Sequence, residues 1–493
     1  MMHKGQCQMH APETIGAAFL KQVEINPGAI LFETRSGTGI GSLTYADFKM
    51  RIELTMLAFA GKGVAAGQVV GLANTNQIDT FAAILALWAL GASPLVLDFR
   101  SPPSDILERA GRARAVCVFS DFRKLTQNEG ILESPRGGQA TQTSGELVFP
   151  ATPHVTADFI MSSGTTGVPK LHPVSHEELL SATDRMATGG ERGDWGNAVS
   201  CLNLSFPGTR YIWYRNAISG RKIITVPVFF DYGELDAALL HEDAEEATLP
   251  PVLIRGLVQH IKAQGLVGNR PRYDRLVKMQ SIGGPLLGSV LTEAKSILSD
   301  KLCVTYSSTQ TGIISRLEGD AIDSYPTSVG KPLPHHHIRI VDDEGCPLPN
   351  NQVGHIETQV NGSAARPGDR GYLDDEGYLY VVGRVQEYFC RNGVSFNAPD
   401  LENRVQEVTG AALCCIISSP SEAGDDDQIV AVIEAEPSNL SDFKTRLRAQ
   451  LSPLTRPDRI VLMPVLPKTS GLKVARAHLQ QEIKDNPETC HVI

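Results

Sequence analysis

The sequence of 493 residues is poor in tryptophan, with three, and only 6% of it is aromatic. Cysteine is sparse too. There are nine, none in a Cys-x-x-Cys pair, which excludes a dense disulfide scaffold and a zinc ribbon and suits a reducing cytoplasm. No long hydrophobic run is present: the longest apolar stretch, Phe81 to Leu97, is broken by Gly91 and Pro94 and reads as a buried helix followed by a strand, so no membrane span is expected. Met1 to Pro12 holds no apolar stretch behind a charged start, and no secretory leader is expected. Basic charge is not in excess. Lys plus Arg total 45 against 55 for Asp plus Glu, a net charge of −10, which argues against nucleic acid as a partner.

What is present, 42% hydrophobic and 20% charged residues over a length of about three ordinary domains, describes a globular chain with a sizeable core. Thr44 stands as an N-cap before a helix, Val69 to Ala73 reads as a strand, Thr80 to Leu90 as a helix stopped by Gly91, and Ser93 to Leu97 as the next strand. Strand, helix, strand in that order predicts a parallel sheet covered by helices. Residues 125–150 turn to Gln, Gly, Ser, Thr and Pro and read as a connector. Around Gly371 to Arg384 the pattern is strand, turn, strand, with Glu376-Gly377 in the turn. Beyond it Ala398 opens a helix, Ala412 to Ser418 and Ile429 to Glu434 read as strands, and Ser441 to Leu451 as a helix. The expected class is α/β, with a large N-terminal domain over 1–384 and a smaller, mobile α+β domain over 385–493.

The stretch richest in chemistry is Phe159-Ile160-Met161-Ser162-Ser163-Gly164-Thr165-Thr166-Gly167-Val168-Pro169-Lys170. An apolar strand runs into small and hydroxyl side chains that leave backbone N–H groups free for phosphate oxygens, and Lys170 adds a cation at the rim. It is not a Walker loop, because Val168-Pro169 separate Gly167 from the lysine. Read alone, it is also compatible with a plain solvated loop.

At these residues the chain resembles the adenylate-forming superfamily of acyl-CoA synthetases, nonribosomal-peptide adenylation domains and luciferases. The resemblance continues in order along nearly the whole chain. Leu43-Thr44-Tyr45-Ala46-Asp47-Phe48, Leu90 to Asp98, Gly283-Gly284-Pro285-Leu286, Tyr306-Ser307-Ser308-Thr309-Gln310, Gly368-Asp369-Arg370-Gly371, Gly383-Arg384 and Pro467 to Lys473 are each similar to one of its motifs.

The resemblance implies ATP-dependent formation of an acyl adenylate with release of pyrophosphate, then transfer to a thiol of coenzyme A or of carrier-protein phosphopantetheine. It implies Lys473 and Thr309 as catalytic residues. The ATP site would comprise Ser162, Ser163, Gly164, Thr165, Thr166, Gly167, Lys170, Gly283, Gly284, Tyr306 stacked on adenine, Asp369 on the ribose hydroxyls and Arg384 nearby. The acid pocket would be lined by Phe206, Tyr211, Gly283 and Ser307. Gln386 falls at the interdomain hinge, Gly393 in the loop that shapes the thiol tunnel, and Gln310 where Mg²⁺ is usually held by Glu.

Leu202-Asn203-Leu204-Ser205-Phe206 falls where adenylation domains for amino acids often carry an Asp, and its absence disfavours an α-amino acid substrate. Phe206, Tyr211, Trp213 and Tyr214 either line a pocket or pack the core. Glu242 to Glu246 and Asp425 to Asp427 read as solvated surface, and His335 to His337 as an exposed strand start. The partners expected are a small-molecule acid and, as one choice of acceptor, an acyl carrier protein. Two alternatives accompany this reading. The adenylate passes to a non-thiol nucleophile such as an amine, with a small oxyacid such as nitrite among the substrates, or the chain binds nucleotide without turnover.

Overall fold

The structure is a computed structural model. It describes the chain apart from residues 1–13, 37–38, 136–145, 151, 163–169, 189–195, 228, 285, 287, 309–310, 335, 361–362, 385–387, 392–393, 421–426, 454, 469–473, 487–488, 490 and 493. Two compact units are present, 1–164 with 169–282 and 289–303, and 165–168 with 283–288 and 304–493. The division falls inside the strand Leu302–Ser308, between Cys303 and Val304.

In the first unit the helix Gln77–Ala89 shows why the local pattern reads so clearly. Asn76 caps it by accepting the Asp79 N–H, Gly91 ends it with φ near +70°, and Thr80 to Trp88 are buried without interruption. The helix crosses between the parallel strands Val69–Leu72 and Ser93–Val96. That sheet continues through Ala115–Ser120 to Ile131–Glu133, all parallel. The last of these strands lies in the stretch expected to be connector: three residues with one buried side chain give too short a pattern to read.

A second sheet holds Lys278–Ser281, Glu246–Leu249, Ala198–Ser200, Ile223–Thr225 and Ile30–Ser36 in parallel, closed by the antiparallel strand Gly39–Thr44. Thr44 then caps the helix Tyr45–Gly61 in a full capping box with Asp47. The core between these layers is aromatic, with the Phe32 ring 4.8 Å from Phe48 and 5.1 Å from Trp213. Trp213 and Tyr214 are buried in this core, which settles them as packing residues. In the acidic run 242–246, Glu242 is exposed and Asp243 half-exposed beside Lys222, as expected of solvated surface, but Glu246 is a correction, buried in an ion pair with Arg215.

The second unit contains an antiparallel sheet in the order Arg339–Val341, Gly354–Val360, Asp369–Leu373, Leu379–Arg384, around Val329, Ile340, Ile356 and Leu379. Further along, Cys414–Pro420, Asp427–Glu434, Arg459–Met463 and His491–Val492 form a sheet with both faces covered. Alternation sends Cys414 and Ile416 toward the helices Ala398–Thr409 and Leu440–Gln450, and Cys415 and Ile417 toward Leu479 of the helix Arg476–Asp485. The adjacent cysteines are strand core. Among the described residues no helix is long and apolar enough to cross a membrane.

Candidate adenylation site

The phosphate-loop motif sits at the tip of an antiparallel hairpin. Its strands Thr156–Ser162 and Lys170–Ser175 pair with Ser162 opposite Lys170. The backbones of Ser162 and Lys170 are thereby held together, while Ser163, Gly164, Thr165, Thr166 and Gly167 lie outside the described residues.

In the second unit, Tyr306 and Ser307 are neighbours on the strand Leu302–Ser308. Tyr306 is half-buried against the Val329, Ile340, Ile356 and Leu379 cluster, and its hydroxyl donates to Asp369 Oδ2 at 2.5 Å. Asp369 is buried at the start of its strand, opposite Arg384 in register. That register depends on Gly371. A Cβ there would stand 2.2 Å from the Tyr380 carbonyl oxygen, so only glycine lets the two strands close beside a bulge at Arg370/Gly371. The phenol holds one oxygen of the carboxylate, and an acceptor-only carboxylate suits a vicinal diol.

Thr309 and Gln310 lie outside the described residues, but their flanks are tied: Ser308 Oγ and Thr311 Oγ1 are 2.8 Å apart, and the Thr311 N–H donates to Ser308 Oγ. Gly283 and Gly284 follow the strand Lys278–Ser281, and Gly283 takes φ near +95°, a conformation that favours glycine.

Lys473 lies outside the described residues, at the end of a segment whose edges are joined. Lys468 bridges Val474, and the Ala475 N–H donates to the Pro467 carbonyl. Gln386 and Gly393 are also outside the described residues. Gly393 falls between the paired strands Tyr388–Arg391 and Val394–Asn397. Phe206 precedes the helix Pro207–Ser219, and Tyr211, on that helix, packs against the aromatic core of the first unit.

Sequence reasoning passed over Asp158 and Arg210. The pair is buried, with Arg210 Nε 2.7 Å from Asp158 Oδ2. Burial pushes the Asp158 carboxyl above its ordinary value, and the guanidinium opposes that shift. The available signal was a lone acid among Ala157, Phe159, Ile160 and Met161 in the strand Thr156–Ser162.

The Ser162 to Lys170 motif on its hairpin and the Tyr306–Asp369 hydrogen bond each accord with a family model described as AMP-binding enzyme, which matches residues 19–364. The chain belongs to that family and, with it, to the adenylate-forming superfamily. It is an ATP-dependent, AMP-forming ligase that activates a carboxylic acid as an acyl adenylate.

Among curated relatives it is similar to 2-succinylbenzoate–CoA ligase of Oceanobacillus iheyensis, at 23% identity over 501 residues, covering 95% of this chain and 99% of the relative. Among solved structures it is similar to o-succinylbenzoate coenzyme A synthetase from Bacillus subtilis in complex with AMP, with a TM-score of 0.77, 18% identity, and 94% and 98% of the two chains covered. The amide bond synthetase from Marinactinospora thermotolerans is similar with a TM-score of 0.73, 19% identity, and 96% and 100% covered.

Proposed function

We propose that this chain couples an aromatic or short apolar carboxylic acid, without an α-amino group, to coenzyme A. The observation that carries the nucleotide half is the Tyr306–Asp369 hydrogen bond, which sets an aromatic ring beside a carboxylate in the manner an adenine and its ribose require. In the first half-reaction an acid oxygen attacks the α-phosphorus of ATP and pyrophosphate leaves. Both reactants are anionic, so cations must offset their repulsion: Lys473 bridges acid and α-phosphate, Thr309 donates to the same phosphate, and the Ser162–Lys170 loop cradles the leaving pyrophosphate. In the second half-reaction a thiol sulfur attacks the acyl carbon and AMP departs.

Magnesium would be held by the ATP phosphates with the Gln310 amide oxygen, since hard cations take oxygen donors. The acid side follows from the missing Asp in 202–206 and from Phe206 and Tyr211. The 385–493 segment is the small domain that turns about Gln386, bringing Gly393 to the thiol tunnel. ATP and coenzyme A as substrates go with a cytoplasmic setting.

A second reading keeps the adenylate and passes it to an amine. It is favoured by Gln386 and Cys390, which depart from the family's usual hinge residues, and the amide bond synthetase of similar fold is a precedent for the acceptor.

The test is acid-dependent exchange of labelled pyrophosphate into ATP across a panel of acids, followed by mass spectrometry of products with coenzyme A, carrier protein and amines. Lys473→Ala is expected to slow exchange by about a thousandfold, the effect of removing a transition-state charge partner worth about 4 kcal/mol. Exchange at the parent's rate would remove Lys473 from the mechanism.

A further inference from the structure

Arg210 is among the largest fully buried side chains of the protein, and its guanidinium reaches two segments that are far apart in sequence. Nε donates to Asp158 Oδ2 at 2.7 Å and Nη2 donates to the Phe159 carbonyl at 3.3 Å, both on the strand that runs into the phosphate loop. Nη1 donates to the carbonyl of Leu204, in the turn Leu202–Phe206. Asp158 is anchored in turn, its Oδ1 accepting the Phe159 N–H at 2.8 Å.

The Leu204 N–H donates to Gln77 Oε1 at 2.5 Å, and the Gln77 amide is itself spent on the Asn74 and Thr75 carbonyls. Both backbone polar groups of Leu204 are thus held by buried side chains from elsewhere in the first unit. The turn adds its own bonds, Ser205 N–H to Asn203 Oδ1 at 2.7 Å and Phe206 N–H to the Asn203 carbonyl at 3.0 Å. No element of regular structure fixes Leu204. Side chains do.

Stability alone is a poor account of this arrangement. A buried ion pair is often replaced by apolar residues of similar volume with no loss of stability, because desolvation cancels much of the attraction. What an apolar pair cannot do is bond three backbone and carboxylate acceptors on two segments at once. Asp158 lies four positions before Ser162, the first residue of the phosphate loop, and Leu204 lies in the segment that faces the acid by resemblance.

We propose that Arg210, through Asp158 and Leu204, is a positioning residue that holds the acid-side turn in register with the phosphate-loop strand, so that the acid oxygen and the α-phosphorus meet in line. This inference rests on the reading of the site given above. Arg210 touches neither substrate in this scheme; it acts on alignment.

The test uses the full chain and two variants. Arg210→Lys keeps the charge beside Asp158 but cannot serve three acceptors with one planar fork. Asp158→Leu combined with Arg210→Met removes both charges at similar volume. Each variant is measured for thermal midpoint and for pyrophosphate exchange at saturating ATP and acid, well below that midpoint.

Both variants are expected to lose about tenfold to a hundredfold in kcat, with KM for ATP changed less than about threefold and with the apolar variant still folded, since small displacements of reacting groups cost rates of this order. A folded apolar variant, or Arg210→Lys, exchanging within twofold of the parent's kcat would overturn the inference and leave the pair a structural one. If the apolar variant does not fold, Arg210→Lys decides. A parent that exchanges with no acid would instead overturn the proposed function.

Discussion

Tyr306 and Asp369 are 63 positions apart, and each is ordinary alone: a tyrosine near the end of a strand, an aspartate before a bulge. The phenol O–H makes them a unit, because a hydrogen bond to a carboxylate is worth more than one between neutral groups and sets the direction of the acceptor. Tyr306→Phe keeps the ring and removes the donor. Affinity for ATP is expected to fall about tenfold, the effect of losing one such bond, while kcat changes less than about threefold. Calorimetric titration with ATP beside steady-state exchange checks this, and an unchanged affinity would mean that Asp369 is oriented without the phenol.

Helix starts are the most legible elements of the chain, since Thr44 with Asp47, Ser175 with Glu178 and Asp231 with Glu234 each bond reciprocally. The second of these boxes places His176 at the start of the helix His176–Thr188, buried edge-on to the Trp88 ring with Nδ1 lacking a hydrogen-bond partner. Burial pushes the His176 pKa down to about 4. The unfolded chain binds its proton near pH 6.5 and the folded one does so only near 4, so the folded state gives up stability as pH falls from about 6.5 to about 4 and loses nothing at neutral pH. The loss attributable to this residue is about 3 kcal/mol. Urea unfolding at pH 7 and at pH 4 measures it. His176→Gln is expected to remove that share of the pH dependence, and equal dependence in parent and variant would show that His176 does not stay neutral in the folded state.

At the scale of the molecule, the proposed reaction runs in two halves, adenylate formation and then transfer to an acceptor. If the proposed small domain 385–493 turns about Gln386, proline there should separate the two half-reactions, because it fixes φ near −65° and removes the N–H. With Gln386→Pro, adenylate formation is expected to continue within about threefold while thioester formation falls about a hundredfold or more, if the locked form is the adenylating one. Single-turnover measurements of acyl-AMP and thioester separate the two steps. Retention of both rates would show that transfer needs no rotation, and would favour a small acceptor entering the adenylation-state pocket directly.

The sequence by itself determined the helix capped by Thr44, the strand-helix-strand order behind the parallel sheet, the strand at Ala412 to Ser418, and the ordered motifs that mark an adenylate-forming enzyme. All of these are local: a cap spans three residues, a strand face repeats every second one, and a phosphate loop is continuous in the chain. Only the tertiary structure decided that Tyr306 bonds Asp369, that Glu246 is buried on Arg215, that Trp213 and Tyr214 pack the core, and that Arg210 joins the phosphate-loop strand to the turn at Leu204. A charged residue reads as surface until its partner is known, and that partner is chosen by sheet register and packing across long separations. The energetic cost of burying the charge is offset only where the fold has brought that partner within reach.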